Sequence, residues 1–198
     1  MNILIDSGNT KCKFAVYEKG YVKRVTKAEA IQCLNNTLSV IFADVANSDE
    51  LNEFLAVANE LRVPVKNVVV SKQAFGIECA YESFETLGID RWLSILGAEQ
   101  LLANKNVIVM DAGTAITVDI LSKDKKHLGG WIVPGLKLME ETIVNKAPNV
   151  FLANNTFYEP FGTSTPNALR SGCINAGVGL VQRAVDLFKT DQNEASEP

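Results

Sequence analysis

The chain reads as an α/β protein built from two related lobes, and three observations predict this. An acidic, glycine-broken strand end occurs twice: residues 3–10 read Ile-Leu-Ile-Asp-Ser-Gly-Asn-Thr, and residues 107–114 read Val-Ile-Val-Met-Asp-Ala-Gly-Thr. Each copy leads into a second β-like stretch, 11–18 and 115–122. Strand patterns then alternate with helical ones, which favours sheets covered by helices. A glycine in such a turn lets backbone N–H groups approach phosphate oxygens. The aspartate can hold a cation, or a water bound to one. One copy alone would equally suit an ordinary hairpin turn. Two copies in matching context, with Asp6 and Asp111 105 residues apart, point to two lobes facing one nucleotide.

The elements follow in order. Residues 2–6, 12–18 and 21–26 read as a three-strand meander, 27–34 as a brief helix and 38–43 as a central strand. Asn47 or Ser48 can cap a helix running to about Leu61, with Leu51, Phe54, Leu55 and Ala58 on one face. Residues 63–70 hold a strand broken by Pro64, and 71–88 cross the surface. A helix over 91–103 buries Trp92, Ile95, Leu96 and Leu102. The second lobe repeats the strand order at 107–111, 115–121 and 126–133, where Pro134-Gly135 ends the third strand. A helix at 136–144, a loop-rich stretch at 146–163 and a last helix over 166–188 complete it. The expected domains are therefore 1–104 and 105–189, followed by a polar, disordered tail at 190–198.

Composition excludes several classes of function. Hydrophobic residues make up 47% of the 198, so a packed core is expected. A net charge of −4 argues against a general nucleic-acid binder, which needs a basic surface. The four cysteines are scattered and His127 is the only histidine, so a structural zinc site or a Ser-His-Asp triad is a poor fit. His127 reads as a strand residue with a satisfied ring. The start of the chain lacks a secretory signal pattern, and no apolar run reaches the ~20 residues of a membrane helix. A soluble, reducing, cytoplasmic setting is expected.

The first loop has the parts that phosphoryl transfer asks for, namely positioning and charge neutralisation. Gly8 and neighbouring amides can wrap phosphate oxygens, and Asn9 and Thr10 add side-chain donors. Lys13 can reach the same phosphates, or equally point to solvent. Asp6 would act through Mg²⁺ or its water shell, because like charges repel. No Gly-x-x-x-x-Gly-Lys-Ser/Thr loop is present, which sets aside that class of kinase.

Taken together, the motifs resemble type III pantothenate kinases, within the superfamily of actin-like ATPases and sugar and acetate kinases. The resemblance rests on Asp6-Ser7-Gly8-Asn9-Thr10 with Lys13, Gly88-Ile89-Asp90-Arg91, Asp111-Ala112-Gly113-Thr114-Ala115, Gly129-Gly130-Trp131-Ile132-Val133-Pro134-Gly135 and Gly162-Thr163-Ser164-Thr165. It implies two actin-like (ribonuclease H-like) lobes with mixed sheets flanked by helices. It also implies ATP-dependent phosphorylation of pantothenate, the first step of coenzyme A synthesis. A homodimer, a divalent cation with ATP, and a monovalent cation such as K⁺ or NH₄⁺ come with the family.

The resemblance assigns roles by position. Residues Asp6, Ser7, Gly8, Asn9, Thr10, Lys11, Cys12 and Lys13, with Thr114, contact ATP. Asp90 is the base that takes the acceptor's hydroxyl proton. Gly88, Ile89 and Arg91 complete that motif, and Arg91 can grip the carboxylate of pantothenate in a two-pronged contact. Asp90 equally suits an N-cap of a helix starting at Arg91. Asp111 binds the monovalent cation, or else satisfies nearby turn amides. Tyr81 and Thr165 match substrate-contacting positions. Tyr81 also reads as half-buried packing with a satisfied hydroxyl, and Thr165 as an N-cap before Pro166 at N1. Trp92 and Trp131 read as core or dimer-interface residues.

One departure stands out. The family continues past the last helix with a strand, a Thr-Gly-Gly turn and a closing helix, and nothing like them follows Gly179. The second lobe is therefore expected to be shortened at its C-terminal side, with an exposed sheet edge and an open purine side. Two other readings follow: a catalytically impaired pseudokinase or regulatory relative, and a kinase of this superfamily for another small alcohol or acid.

Overall fold

The structure, a computed structural model, describes residues 1–194. It divides into two compact units, Met1–Gly97 and a second that starts at Ala98.

The first unit is built on a mixed five-stranded sheet. Strands β1 (Asn2–Ser7), β2 (Cys12–Glu18) and β3 (Tyr21–Val25) form the expected antiparallel meander. Helix α1 (Lys27–Cys33) follows, opened by a capping box in which Thr26 and Glu29 satisfy each other's backbone N–H. Strand β4 (Ser39–Asp44) then pairs parallel to β1. Helix α2 (Asp49–Glu60) is capped by Ser48, and Asp49 and Glu50 complement its positive end. Strand β5 (Val65–Asn67) closes the order β3-β2-β1-β4-β5. It is shorter than the 63–70 expected, since Pro64 has no N–H to give the ladder.

Strand alternation decides which side of this sheet is core. Ile3, Ile5 and Ser7 of β1 are buried with Phe14, Val40, Leu51, Phe54 and Ala58, and the Phe14 and Phe54 rings meet at 5.2 Å. Full burial of one such ring contributes about 1.5–3 kcal/mol. Asp6 therefore lies on the opposite face of β1.

Residues 71–88 are more ordered than the sequence suggested. A small hairpin, β6 (Gln73–Ala74) and β7 (Ile77–Glu78), turns through Phe75 and Gly76, both at positive φ. Lys72 Nζ donates to the carbonyls of Cys79 (2.8 Å) and Tyr81 (3.2 Å), which fixes the way out of the hairpin. Helix α3 (Ile89–Leu101) starts two residues earlier than expected. The Gly88 carbonyl accepts the Trp92 N–H at 3.0 Å, so Gly88 holds the capping position and Asp90 is the second helical residue. The reading of Asp90 as the cap is thereby corrected. Trp92 and Ile95 are buried as expected, whereas Leu102 lies past the helix end and is exposed.

The second unit repeats the meander as β8 (Val107–Ala112), β9 (Ala115–Leu121) and β10 (His127–Pro134), in the order β10-β9-β8. Helix α4 (Leu136–Lys146) and the long helix α5 (Thr165–Glu194) follow. Ser164 caps α5: its carbonyl accepts the Ala168 N–H at 2.8 Å and its hydroxyl the Asn167 N–H at 3.4 Å. Thr165 is thus the first helical residue rather than the cap, and Pro166 the second. The helix runs on to Glu194, through the start of the stretch read as tail. The remainder of that stretch, 195–198, lies outside the described residues. His127 Nε2 lies 2.9 Å from Asp119 Oδ1 in a buried setting, so one side of the ring is met as expected, whereas its buried Nδ1 makes no hydrogen bond among the described residues. Among the described residues no helix is long and apolar enough to cross a membrane.

Candidate active site

The first glycine turn joins β1 to β2 and is anchored from beneath. Ser7 and Cys12 face each other across the register, and both turn toward Ser48. The Ser48 hydroxyl lies 3.2 Å from Ser7 Oγ and 3.1 Å from Cys12 Sγ while accepting the Leu51 N–H. Glu50 adds a bond from the Cys12 N–H at 3.3 Å. The same residue that caps α2 therefore holds both feet of the turn. Ser7 is buried, and its side chain and that of Cys12 are engaged in this support. Sequence reasoning found Ser48 as a cap and missed it as an anchor; its only signal was a hydroxyl before an acidic first turn.

Above the anchor the turn is open. Asn9, Thr10, Lys11 and Lys13 are exposed. Lys13 Nζ pairs with Asp6 Oδ2 at 2.7 Å, with both side chains about half exposed. Lys11, Lys13, Arg24 and Lys27 line a cavity of about 230 Å³ with Glu50, so the flank of the turn is electropositive. Gly8 is not at positive φ, and a Cβ there would meet only the Lys11 carbonyl at an ordinary 3.8 Å. Neither backbone nor packing requires glycine at this position. The Gly8 N–H itself donates to the Lys11 carbonyl at 3.3 Å, and the missing side chain leaves the outside of the turn clear for an approaching anion.

The second turn, Gly113-Thr114 between β8 and β9, repeats this arrangement. Gly113 donates to the Ala115 carbonyl at 2.9 Å, and a Cβ on Gly113 would have its nearest neighbour at 4.0 Å. Asp111 and Thr114 are exposed beside it. Gly135 is different, because the turn rests on it. Its N–H donates to Thr114 O at 2.9 Å, and a Cβ there would stand 2.1 Å from Gly113 O. Gly135 therefore fixes the second turn to the start of α4.

The Gly88–Arg91 motif sits at the start of α3. Arg91 is buried, donates from Nη1 to the Tyr81 hydroxyl at 3.1 Å, and lies 5.8 Å over the Tyr81 ring. Asp90 is exposed; its Oδ1 accepts the Arg91 N–H at 2.8 Å. A Cβ on Gly88 would stand 2.5 Å from that Oδ1, so glycine lets the carboxylate fold back over the helix start. Tyr81, Gly88, Ile89, Asp90 and Arg91 are thus one local cluster. Thr165 is exposed at the start of α5, twelve residues, or about 18 Å of helix, from Gly177. Gly177 packs beside Ile116 and Leu136, at the level of the second turn. The structure does not bring Thr165 to that turn.

The donor set can be tested against the cations the family implies. Among the described residues no group of three or more His, Cys, Asp and Glu side chains forms a metal site. Mg²⁺ held mostly by nucleotide phosphates needs only one or two carboxylates, and Asp6 beside the open Gly8 turn fits that. Exposed Asp111 beside the second turn suits an oxygen-coordinated cation in type.

An open glycine turn repeated in two α/β units, with a carboxylate and a buried arginine at a helix start, defines a phosphotransferase of actin-like fold. Residues 2–187 match the family described as type III pantothenate kinase, and the chain belongs to that family of kinases. It is 40% identical over 190 residues to a type III pantothenate kinase of Pseudoalteromonas translucida, covering 93% of this chain and 78% of the relative. It is 30% identical over 195 residues to that of Colwellia psychrerythraea, covering 94% and 78%. A solved structure from Campylobacter jejuni, described as a conserved Baf family transcriptional activator, matches with a TM-score of 0.55 at 23% identity, covering 92% of this chain and 78% of that one. This last likeness speaks for the fold alone.

Proposed function

We propose that this protein transfers the γ-phosphoryl group of ATP to the primary hydroxyl of pantothenate, giving 4′-phosphopantothenate and ADP. The observation that carries the reading is the acceptor cluster: exposed Asp90 beside buried Arg91, itself held by Tyr81, in a chain of this family.

Asp90 Oδ1 is engaged by the Arg91 amide, which leaves Oδ2 to take the proton of the attacking hydroxyl. The new bond joins the pantothenate oxygen to the γ-phosphorus, and the bond from that phosphorus to the bridging β,γ-oxygen breaks. The proton passes through Asp90 to solvent. Arg91 pairs with the acceptor's carboxylate, and Gly88 and Ile89 shape the approach. Thr165 adds a second polar contact to the acceptor. Residues 6–13 and Thr114 hold the phosphates, with Gly8 and Gly113 keeping both turns clear of side chains. Asp6 would hold a Mg²⁺, which would neutralise phosphate charge, and Asp111 would hold a K⁺ or NH₄⁺ at the second turn.

The protein acts as a homodimer in a reducing cytoplasm. The exposed Phe151, Phe157 and Phe161 of the second unit support the first statement, and four free cysteines the second. Incubation of purified protein with ATP, Mg²⁺, K⁺ and pantothenate should yield phosphopantothenate. A panel of small alcohols should show that the acceptor must be anionic. Absence of product from pantothenate, with turnover of another acid, would replace the substrate assignment. Absence of turnover with every acceptor would end the kinase reading.

A further inference from the structure

We propose that Glu140 and Arg170 form a positioning pair, setting where the acceptor threonine, Thr165, stands relative to the second nucleotide turn. The inference rests on the assignment of Thr165 to the acceptor.

Helix α4 is fixed to the turn at its N-cap. Gly135 is bonded to Thr114 O and has no room for a side chain against Gly113 O. Helix α5 must then be held against α4. The connection 147–164 is bonded to α5 where Asn167 Oδ1 accepts the Phe157 N–H at 3.2 Å and Ser171 Oγ the Glu159 N–H at 2.9 Å. Two contacts of α5 with the turn's own side of the unit add to this. A Cβ on Gly177 would touch Ile116 Cδ1 at 3.4 Å and Leu136 Cδ2 at 3.8 Å. Further along, Arg170 Nε donates to Glu140 Oε1, and Nη2 reaches Oε2 at 3.4 Å. Going from Leu136 to Glu140 runs forward along α4, while Gly177 to Arg170 runs backward along α5. The helices are therefore antiparallel.

The two contacts differ in kind. The Gly177 contact is apolar and non-directional, so it tolerates sliding. The Arg170 fork meets both carboxylate oxygens and fixes register and rotation together. Thr165 lies five residues before Arg170, about 7.5 Å along the axis, so the pair determines its place. Glu140 is only 5% exposed. The Arg170 side chain is 38% exposed, and a part-buried ion pair is a weak source of stability. Its directional geometry is what apolar packing would not supply. The neighbouring Cys173 senses the pair: burial pushes its thiol pKa up, the Glu140 charge adds to this, and Arg170 opposes it.

The test compares the unaltered protein, Glu140→Gln, Thr165→Ala and their double variant, with Arg170→Lys as a second disruption should Glu140→Gln fold poorly. In E140Q the pantothenate KM should rise about tenfold, while kcat and the ATP KM stay within about twofold. The double variant should be no worse than T165A, because the pair acts through that threonine. R170K, which keeps charge and loses the fork, should shift the same way. Hydrogen exchange gives a readout that needs no turnover: the Ala168 amide should exchange about tenfold faster in E140Q while β8–β9 amides keep their protection. Additive penalties in the double variant, or an unchanged pantothenate KM with unchanged exchange, would overturn the proposal. If the unaltered protein turns over no pantothenate, the kinase reading falls, and the exchange pattern alone decides whether the pair holds α5 in place.

Discussion

Arg91 lies 5.8 Å over the ring of Tyr81 and donates to its hydroxyl at 3.1 Å, so one tyrosine holds the guanidinium by face and by edge. Tyr81→Phe keeps the ring and removes the acceptor oxygen. It should cost about 1 kcal/mol of stability and raise the pantothenate KM about fivefold, with kcat nearly unchanged. Arg91→Lys loses the planar fork as well and should raise the same KM about thirtyfold or more. Steady-state kinetics with each substrate varied in turn checks both.

Gly135 and Gly179 make opposite predictions from the same substitution. Alanine at 135 would drive a Cβ to 2.1 Å from Gly113 O. Gly135→Ala should destabilise by about 1–3 kcal/mol and weaken ATP binding, because the second turn must move. Alanine at 179 meets nothing within 4 Å inside α5. Gly179→Ala should stabilise by up to about 1 kcal/mol with unchanged activity. Thermal melts and nucleotide titrations separate the two.

Lys13 distinguishes a surface ion pair from a phosphate contact. Its bridge to Asp6 is about half exposed on both sides, so Lys13→Met should change stability by less than about 1 kcal/mol. If the ammonium turns to phosphate when nucleotide binds, the ATP KM should rise about tenfold, and the effect should shrink at high salt. An ATP KM indifferent to this substitution would remove Lys13 from the site.

Cys173 gives a pH dependence with a definite sign. Burial, and the Glu140 charge after it, raise its thiol above the ordinary value, so the folded state holds this proton more tightly than the unfolded chain. Its contribution is fully present below the ordinary thiol pKa and is lost as pH rises through the raised one. Stability should fall on the alkaline side of the ordinary thiol value, and Cys173→Ser should flatten that part of the profile. Thermal midpoints measured across that range decide it.

Both meanders were legible because alternating apolar residues and glycine turns mark strands locally. The hairpin β6–β7 was not, since two residues per strand carry no period, and a lysine clamp and two positive-φ residues hold it instead. The start of α3 was placed late because Asp90 is a better cap in general than Gly88. Here Gly88 leaves room for the folded-back carboxylate. The candidate ligand residues were visible as motifs, but their supports were not. Ser48 reaches the first turn from 36 and 41 residues away, and Glu140 meets Arg170 across 30. Only a fold brings such pairs together. The one sequence hint was Glu140 on the same helical face as Leu136 and Ile143.

The central claim is that the exposed carboxylate of Asp90 takes the proton of the acceptor hydroxyl. Asp90→Asn keeps an oxygen for the Arg91 N–H, so the helix start should survive and the thermal midpoint should barely move. Single-turnover phosphorylation of pantothenate by this variant should be slower by about 10²–10⁴-fold, with pantothenate binding retained. A variant that transfers phosphate at the unaltered rate would contradict the account.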